Sequence, residues 1–266
     1  MTFRLVALDL DGTLIGPDLE IKPRVARAIH RMRAEGVAGC IVTGRMYRAA
    51  LPYARALGFV APIVCYQGAA IVDPQADRVL FDAPLDHATV AEVIHATQAD
   101  GVHLQLYRND SYYCEERNRF SELYARLSRV EPVIVPSLSE TFALSDATKA
   151  VVVADPPQAE RYAHRLSELL GERAYVTRSY PQFVEVLNPN VDKGRALTFV
   201  AQHLGIGMDD VLAVGDAWND APLLRVAGFG VAMGSAPEEL RAEADAVVPD
   251  VAGDGVAQAI EQYVLR

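Results

Sequence analysis

Two aspartates near the start of the chain stand in the segment Asp9-Leu10-Asp11-Gly12-Thr13-Leu14, directly after a run of apolar residues. Residues two apart on an extended chain point to the same side. If the run is a strand of an open α/β sheet, both carboxylates lie at its carboxyl end, where such sheets bind ligands. There they can share a divalent cation and divide two tasks between them. A turn completed by Gly12 is the alternative for this segment taken alone.

A hydroxyl, a glycine and a cation follow the second apolar run, as Thr43-Gly44-Arg45. Backbone N–H groups freed by a glycine turn, together with the Thr43 hydroxyl, can hold the oxygens of a phosphate. A glycine turn with Thr43 as the N-cap of the next helix explains the same residues. Arg45 either contacts a substrate or stays solvated at the start of that helix.

Lys193 stands where the pattern predicts the first turn of a helix, in Asn188-Pro189-Asn190-Val191-Asp192-Lys193-Gly194. A positive charge near a helix N-terminus opposes the helix dipole, so the position does not favour folding. Contact with a phosphate is therefore a better explanation for Lys193 than a place on the solvated surface.

Two acids and an amide crowd the segment Gly215-Asp216-Ala217-Trp218-Asn219-Asp220, after another apolar run. A loop of surface acids is the alternative here. All four clusters lie at the ends of predicted strands or helices. Unrelated turns and surface acids would not be expected to fall at such ends in all four cases. Trp218 either lines a pocket close to this loop or simply packs.

Continuous apolar runs, typical of parallel strands covered on both faces, occupy residues 5–10, 37–42, 62–65 and 211–214. Helical patterns separate the first three runs. In one of them Val25, Ile29 and Met32 share a face, and Gly36 follows as a stop signal. This alternation predicts an α/β core with a doubly wound, Rossmann-like parallel sheet.

The middle of the chain has a different pattern. His103–Arg108 alternates polar and apolar residues, Asn109-Asp110 offers a turn, and Ser111–Cys114 resumes the alternation. The pattern predicts a hairpin with one face exposed to water. We therefore expect an antiparallel α+β cap domain at 82–187, inserted into a core. The core domain then consists of 1–81 and 188–266.

Composition narrows the class of protein. Of the 266 residues 51% are hydrophobic, and 35 acidic against 25 basic side chains give a formal net charge of −10. This balance disfavours a nucleic-acid surface, because phosphate backbones are held mainly by lysine and arginine. No apolar run reaches the roughly 18 residues of a membrane span, and acids interrupt the first apolar stretch, unlike a signal peptide. Three cysteines without a CxxC pattern indicate buried, reduced thiols and a cytoplasmic protein.

In this order, DLDGTL, TGR, the lysine of DKG, and GDxxND resemble the four motifs of the haloacid dehalogenase superfamily. The domain inserted between the second and third motifs is similar to the large α/β cap of the superfamily's Cof-type phosphatases. Tyr66-Gln67-Gly68-Ala69 is similar to the family's Asn-Gly-Ala stretch, with Gln67 in the place of the asparagine.

The resemblance implies a Mg²⁺-dependent hydrolase of small soluble phosphate monoesters, with sugar phosphates as the first choice. Asp9 is then the nucleophile that forms an aspartyl-phosphate, and Asp11 is the general acid and afterwards the base. Asp9, the backbone carbonyl of Asp11 and Asp216 hold Mg²⁺ through oxygen, and Asp220 supports them. The implied phosphate-binding residues are Leu10, Thr43, Gly44, Lys193 and Asn219, and the candidates for the substrate pocket are Arg45 and Trp218.

Two other functions fit the same motifs. A phosphomutase of the superfamily would return the phosphoryl group to its substrate instead of releasing it to water. A non-catalytic regulator would only bind a phosphorylated ligand, although the intact acids at 9, 11, 216 and 220 disfavour a relic site. Neither the substrate's identity nor the oligomeric state follows from these patterns.

Overall fold

The computed structural model of the protein describes residues 2–265. They divide into two compact units, a core unit up to Leu80 and from Asp192 onward, and an inserted unit, Phe81–Val191. The first elements are β1 (Leu5–Leu8), α1 (Pro23–Ala34), β2 (Ala38–Ile41), α2 (Tyr47–Leu57), β3 (Ile63–Cys65), β4 (Ala70–Asp73) and β5 (Arg78–Asp82). The inserted unit continues with α3 (His87–Gln98), β6 (His103–Arg108), β7 (Ser111–Cys114), α4 (Arg119–Ser128), β8 (Val133–Ile134), α5 (Leu138–Thr141), β9 (Lys149–Val153), α6 (Pro156–Leu170), β10 (Tyr175–Tyr180) and β11 (Phe183–Leu187). The core unit then resumes with α7 (Lys193–His203), β12 (Val211–Gly215), α8 (Ala221–Val226), β13 (Phe229–Met233), α9 (Glu238–Glu243), β14 (Ala246–Val248), α10 (Gly255–Ala259) and a π-helical turn, Ile260–Val264.

Five parallel strands form the main sheet of the core unit, in the order β14-β13-β12-β1-β2. Strand β1 pairs with β12 on one side and with β2 on the other, and its four residues are buried, as its apolar run predicts. The chain leaves β1 toward β2 and returns on the other side of β1 at β12. The strand order reverses between β1 and β12, and open α/β sheets bind ligands at the carboxyl ends of the strands at such a point.

Helix α1 follows the predicted pattern. Val25, Ile29 and Met32 lie on its buried face. Pro23 occupies the first turn, where its missing N–H costs no hydrogen bond. Gly36 has a φ of 85° just beyond the helix, a conformation that glycine adopts without steric cost. The three cysteines are free and buried, as predicted.

The third predicted strand departs from the expectation of a central parallel strand. Strand β3 pairs antiparallel with β4, in a separate sheet of order β3-β4-β5, and reaches β2 through a parallel bridge between Val42 and Val64. The chain reverses after β3 through three positive φ angles, at Tyr66 (51°), Gln67 (58°) and Gly68 (104°). An apolar run reports burial but not such a reversal, so the sequence pattern could not reveal it.

The inserted unit contains a six-stranded sheet of order β10-β11-β9-β6-β7-β8. Its pairs are antiparallel except for β7 with β8. The main apolar cluster of this unit joins α3 and α6 to the sheet through residues such as Val90, Leu106, Val152 and Leu166. Among residues 2–265, no helix combines the length and the apolar character that crossing a membrane requires.

The hairpin β6-β7 forms where it was predicted, with Asn109 and Asp110 both at positive φ in its turn. The prediction of a water-exposed face is wrong, because His103 and Gln105 are only 8% and 0% exposed. Strand β6 lies inside the sheet, between β9 and β7. The Tyr107 hydroxyl donates to Gln105 Oε1 at 2.9 Å, so neighbouring polar side chains replace water on this face.

Candidate active site

The loops after β1 and β12 approach each other closely. Gly12 has a φ of 82°, and a Cβ there would lie 2.1 Å from Asp216 Oδ2. Any larger residue would therefore displace the Asp216 carboxylate. Thr13 donates its hydroxyl to Asp216 Oδ1 at 3.2 Å. Gly12 and the Thr13 hydroxyl, both of the first motif, thus place the Asp216 carboxylate of the fourth motif beside the end of β1.

Lys193 joins these loops from the first turn of α7. Its Nζ lies 2.6 Å from Asp9 Oδ1 and 2.5 Å from Asp220 Oδ1, and the three side chains are buried. Although burial alone lowers it, the charges of Asp220 and Asp9 raise the pKa of Lys193. Asp192 caps the helix by accepting the Arg195 N–H at 2.8 Å, which fixes the turn that carries Lys193. A contact between Lys193 and phosphate stays a prediction.

Asp220 supports its own loop as well as Lys193. Its Oδ2 accepts the N–H groups of Asp216 and Ala217, both at 3.0 Å. Both carboxylate oxygens are therefore engaged, one with the lysine and one with the backbone. This arrangement fixes the backbone beneath Asp216, and the role of Asp220 beside a metal ion stays a prediction.

Three carboxylates form a group that could hold a cation. Asp9, Asp216 and Asp220 each offer an oxygen within 4.8 Å of the others. Burial, followed by the charge of Asp220, raises the pKa of Asp216 to about 7. Burial also raises the pKa of Asp9, against the opposing pull of Lys193. Close like charges disfavour ionisation, and a bound divalent cation would relieve the repulsion.

The donor set fits Mg²⁺, which prefers hard oxygen ligands. Since both oxygens of Asp220 already accept hydrogen bonds, Asp9 and Asp216 are the better ligands of the three. The backbone carbonyl of Asp11, predicted as a further ligand, belongs to the same loop as Asp9.

Arg45 is 7% exposed, so a solvated arginine at the start of α2 is wrong. Its Nε donates to Asp11 Oδ2 at 2.7 Å and its Nη2 donates to Asp11 Oδ1 at 2.6 Å. Such a bidentate pair is among the stronger hydrogen-bonded arrangements in proteins. Sequence reasoning missed it because the partners are 34 positions apart and meet only through the pairing of β1 with β2.

The Thr43-Gly44-Arg45 segment forms a tight turn at the end of β2, where Thr43 Oγ1 accepts the Arg45 N–H at 3.1 Å. Gln67 packs directly on this turn, since a Cβ on Gly44 would lie 2.3 Å from Gln67 Nε2. Gln67 Oε1 accepts a hydrogen bond from Asn219 Nδ2 at 3.0 Å. The second and fourth motifs therefore meet through Gln67, a residue to which the sequence assigned no role.

Two further residues predicted at the site, Leu10 and Trp218, differ from each other in their exposure to solvent. Leu10 is fully buried, so its side chain lies in the core and its contact with phosphate stays a prediction. Trp218 is 52% exposed, which excludes simple packing in the core. The structure thus leaves Trp218 as the exposed aromatic side chain of the fourth motif.

Comparison with known proteins agrees with this geometry. A family model of haloacid dehalogenase-like hydrolases matches residues 6–260. The pyridoxal phosphate phosphatase YbhA of Escherichia coli (strain K12) is 30% identical over 274 residues and 100% of each chain. The HMP-PP phosphatase of Cronobacter sakazakii is 31% identical over 261 residues, 98% of this chain and 94% of its own.

Solved structures share the fold. A crystal structure of a haloacid dehalogenase-like hydrolase from Bacteroides thetaiotaomicron has a TM-score of 0.88 and 26% identity, over 98% of this chain and 99% of its own. These matches confirm the resemblance that the four motifs indicated, including its Cof-type character. The chain belongs to the haloacid dehalogenase-like hydrolase family.

Proposed function

We propose that the protein is a Mg²⁺-dependent phosphatase that hydrolyses small phosphate monoesters through a phosphorylated Asp9. The observation that carries the proposal is the buried contact of Asp9 with Lys193, beside Asp216, at the point where the strand order reverses. Relatives named as phosphatases of pyridoxal phosphate and of HMP-PP support the same class of substrate.

Asp9 is the proposed nucleophile. Its carboxylate attacks phosphorus, the bond from phosphorus to the leaving oxygen breaks, and an aspartyl-phosphate forms. Water then attacks the phosphorus, releasing inorganic phosphate and restoring the carboxylate. Lys193, on Asp9 Oδ1, reduces the repulsion between this carboxylate and an incoming phosphate dianion.

Mg²⁺ would be held by Asp9, Asp216 and the backbone carbonyl of Asp11. When bound, the ion supplies positive charge that stabilises the phosphoryl oxygens in the transition state. Asp220 keeps Asp216 and Lys193 in place through the hydrogen bonds described above.

Asp11 is the proposed general acid for the leaving alcohol and then the base for the attacking water. A general acid must reach the leaving oxygen with one of its own oxygens, whereas both oxygens of Asp11 accept hydrogen bonds from Arg45. The mechanism therefore requires that the pair of Arg45 and Asp11 rearranges during turnover. Arg45 would therefore contribute to the substrate pocket indirectly, by holding the Asp11 carboxylate until the pair rearranges.

The phosphoryl oxygens would meet the Leu10 backbone, Thr43, Gly44, Lys193 and Asn219. Trp218 is available for the leaving group because its ring is half exposed. We propose that the inserted unit acts as the cap that selects the leaving group, with sugar phosphates as the first class to try. The three free cysteines support a reducing, cytoplasmic setting.

A screen of phosphorylated metabolites, sugar phosphates and pyridoxal phosphate among them, tests the proposal. Release of inorganic phosphate is measured with Mg²⁺ and with a chelator in its place, for the wild type and for Asp9→Asn. We expect release that needs both Mg²⁺ and Asp9. An isomerised phosphate ester without free phosphate would identify a phosphomutase instead, and binding without any turnover would identify a regulator.

A further inference from the structure

The turn Tyr66–Gly68 takes no part in the proposed chemistry, yet it holds an unusual backbone. Tyr66 and Gln67 both have positive φ, at 51° and 58°. Residues other than glycine adopt this region at a cost, and they keep it only where the surroundings fix it. Here the surroundings are the loops of the candidate active site.

The turn touches three of the four motifs. The Tyr66 N–H donates to Arg45 O at 2.9 Å and the Gln67 N–H donates to Thr43 O at 3.1 Å. A Cβ on Gly68 would lie 2.5 Å from Asp192 O, next to Lys193. The Gln67 side chain adds the contacts with Gly44 and Asn219.

The Asn219 amide has two ends, and its NH₂ end faces Gln67. Gln67 Oε1 is an acceptor and therefore requires the NH₂ end of Asn219, at 3.0 Å. Asn219 is only 6% exposed, and its Oδ1 has no hydrogen-bond partner among the described residues. A buried acceptor without a partner is unfavourable, so the amide alone would not prefer this orientation.

We propose that Gln67 is a positioning residue for the phosphoryl group. It fixes the Asn219 amide against the turn at Gly44, and it keeps the second Nδ2 hydrogen of Asn219 available to a phosphoryl oxygen. This role rests on the proposed function. The family's asparagine at this position would be shorter by one carbon–carbon bond, about 1.5 Å. With the contact already at 3.0 Å, an asparagine oxygen would be out of hydrogen-bond range.

The test compares Gln67→Asn, Gln67→Met, Asn219→Ala and the double variants of each Gln67 change with Asn219→Ala. Gln67→Met keeps the length of the side chain and removes the amide, so one variant remains if the other does not fold. Gln75→Asn, in an exposed turn of the same unit, is the matched control. The probes are p-nitrophenyl phosphate turnover with Mg²⁺, competitive inhibition by inorganic phosphate, and thermal unfolding.

We expect each Gln67 variant to raise KM and the phosphate inhibition constant roughly fivefold to tenfold, as the loss of one hydrogen bond does. The melting temperature should stay close to that of the wild type. In the Asn219→Ala background the same change should have less than about a twofold further effect, because Gln67 acts through Asn219.

Equal effects in both backgrounds would overturn the proposal, since Gln67 would then act independently of Asn219. A lower melting temperature with an unchanged phosphate inhibition constant would also overturn it and leave Gln67 a structural role only. If the wild type hydrolyses the probe and the Gln67 variants match it, this proposal fails while the proposed function stands. If the wild type neither hydrolyses the probe nor binds phosphate, the proposed function fails and this role fails with it.

Discussion

Lys193 in the core unit and Lys149 in the inserted unit are both almost fully buried, but they meet different amounts of negative charge. Lys193 lies within 2.6 Å of two carboxylates, Asp9 and Asp220. Lys149 lies 2.7 Å from Glu185 and 5.0 Å from the centre of the Tyr107 ring. Ionised side chains persist in such surroundings because they are paired.

The surroundings of Lys193 differ from those of Lys149 in that the carboxylates outnumber the cations. Around Lys193 the carboxylates are those of Asp9, Asp11, Asp216 and Asp220, whereas the cations are Lys193 and Arg45. Burial, and after it the neighbouring carboxylates, raise the pKa values of Asp9 and Asp216, so the folded protein disfavours their charged forms. Buried charge alone therefore does not mark an active site. A surplus of one sign is what distinguishes the two sites, because a proton or a bound cation must relieve it.

The largest expected effect is a difference in kcat/KM between variants of the two lysines. Lys193→Met should lower kcat/KM for p-nitrophenyl phosphate with Mg²⁺ by roughly 10²- to 10³-fold, because it removes a fixed positive charge from the nucleophile. Lys149→Met should cause a much smaller loss, since the proposed chemistry does not use this residue. Equal losses would contradict the distinction between the two sites.

The next prediction concerns stability in the inserted unit. Lys149→Met should lower the free energy of unfolding by about 3–5 kcal/mol, because Glu185 is then a buried carboxylate without its lysine. The double variant Lys149→Met with Glu185→Leu should recover most of the loss, since apolar residues of similar size replace the pair. Urea unfolding measures both. No recovery in the double variant would mean that the pair itself is required for the fold.

The dependence of stability on pH should distinguish the site around Lys193 from the pair of Lys149 and Glu185. The pKa of Asp216 is raised by burial to about 7 in the folded protein, so between about pH 4 and pH 7 the folded state binds more protons than the unfolded state. Without a divalent cation, stability should therefore fall as pH rises through this window, by about 2–4 kcal/mol.

Mg²⁺ should oppose this loss and stabilise the protein more at pH 8 than at pH 5, because it binds the ionised carboxylates. Melting temperatures in chelator and in Mg²⁺ across this range provide the measurement. Asp216→Asn should reduce the slope and leave the part that Asp9 contributes, whereas the double variant at Lys149 and Glu185 should keep it. A slope unaffected by Asp216→Asn would assign the effect to other groups.

The smallest effect is expected at the surface. Arg225 and Glu243 form an ion pair at 2.7 Å, but their side chains are 59% and 46% exposed. Arg225→Ala should change the free energy of unfolding by at most about 1 kcal/mol, because water screens such pairs. A loss of unfolding free energy near that expected for Lys149→Met would show that burial does not explain the difference between the two ion pairs.

Much of the fold could be predicted from the sequence because its signals are local. The apolar run at β1, the helical face of Val25, Ile29 and Met32, and the hairpin turn at Asn109 all confirm their predictions. Motif spacing likewise indicated which side chains meet, because the carboxyl ends of β1, β2 and β12 lie side by side.

The rest depends on contacts between distant residues. The pairing of Arg45 with Asp11 and the packing of Gln67 on Gly44 arise only once strands are side by side. The buried face of β6 was misjudged because alternation of polar residues indicates solvent unless other polar residues cover them. His103 and Gln105 have such partners, and nothing local in the sequence reveals them.

The proposed mechanism depends most directly on Asp9 as the nucleophile. The decisive measurement is kcat/KM of Asp9→Asn against the wild type, with Mg²⁺ and the best substrate of the metabolite screen, after equal melting temperatures have shown that both are folded. We expect a loss of roughly three orders of magnitude or more, as when a nucleophile is removed. Activity equal to that of the wild type would contradict the aspartyl-phosphate mechanism.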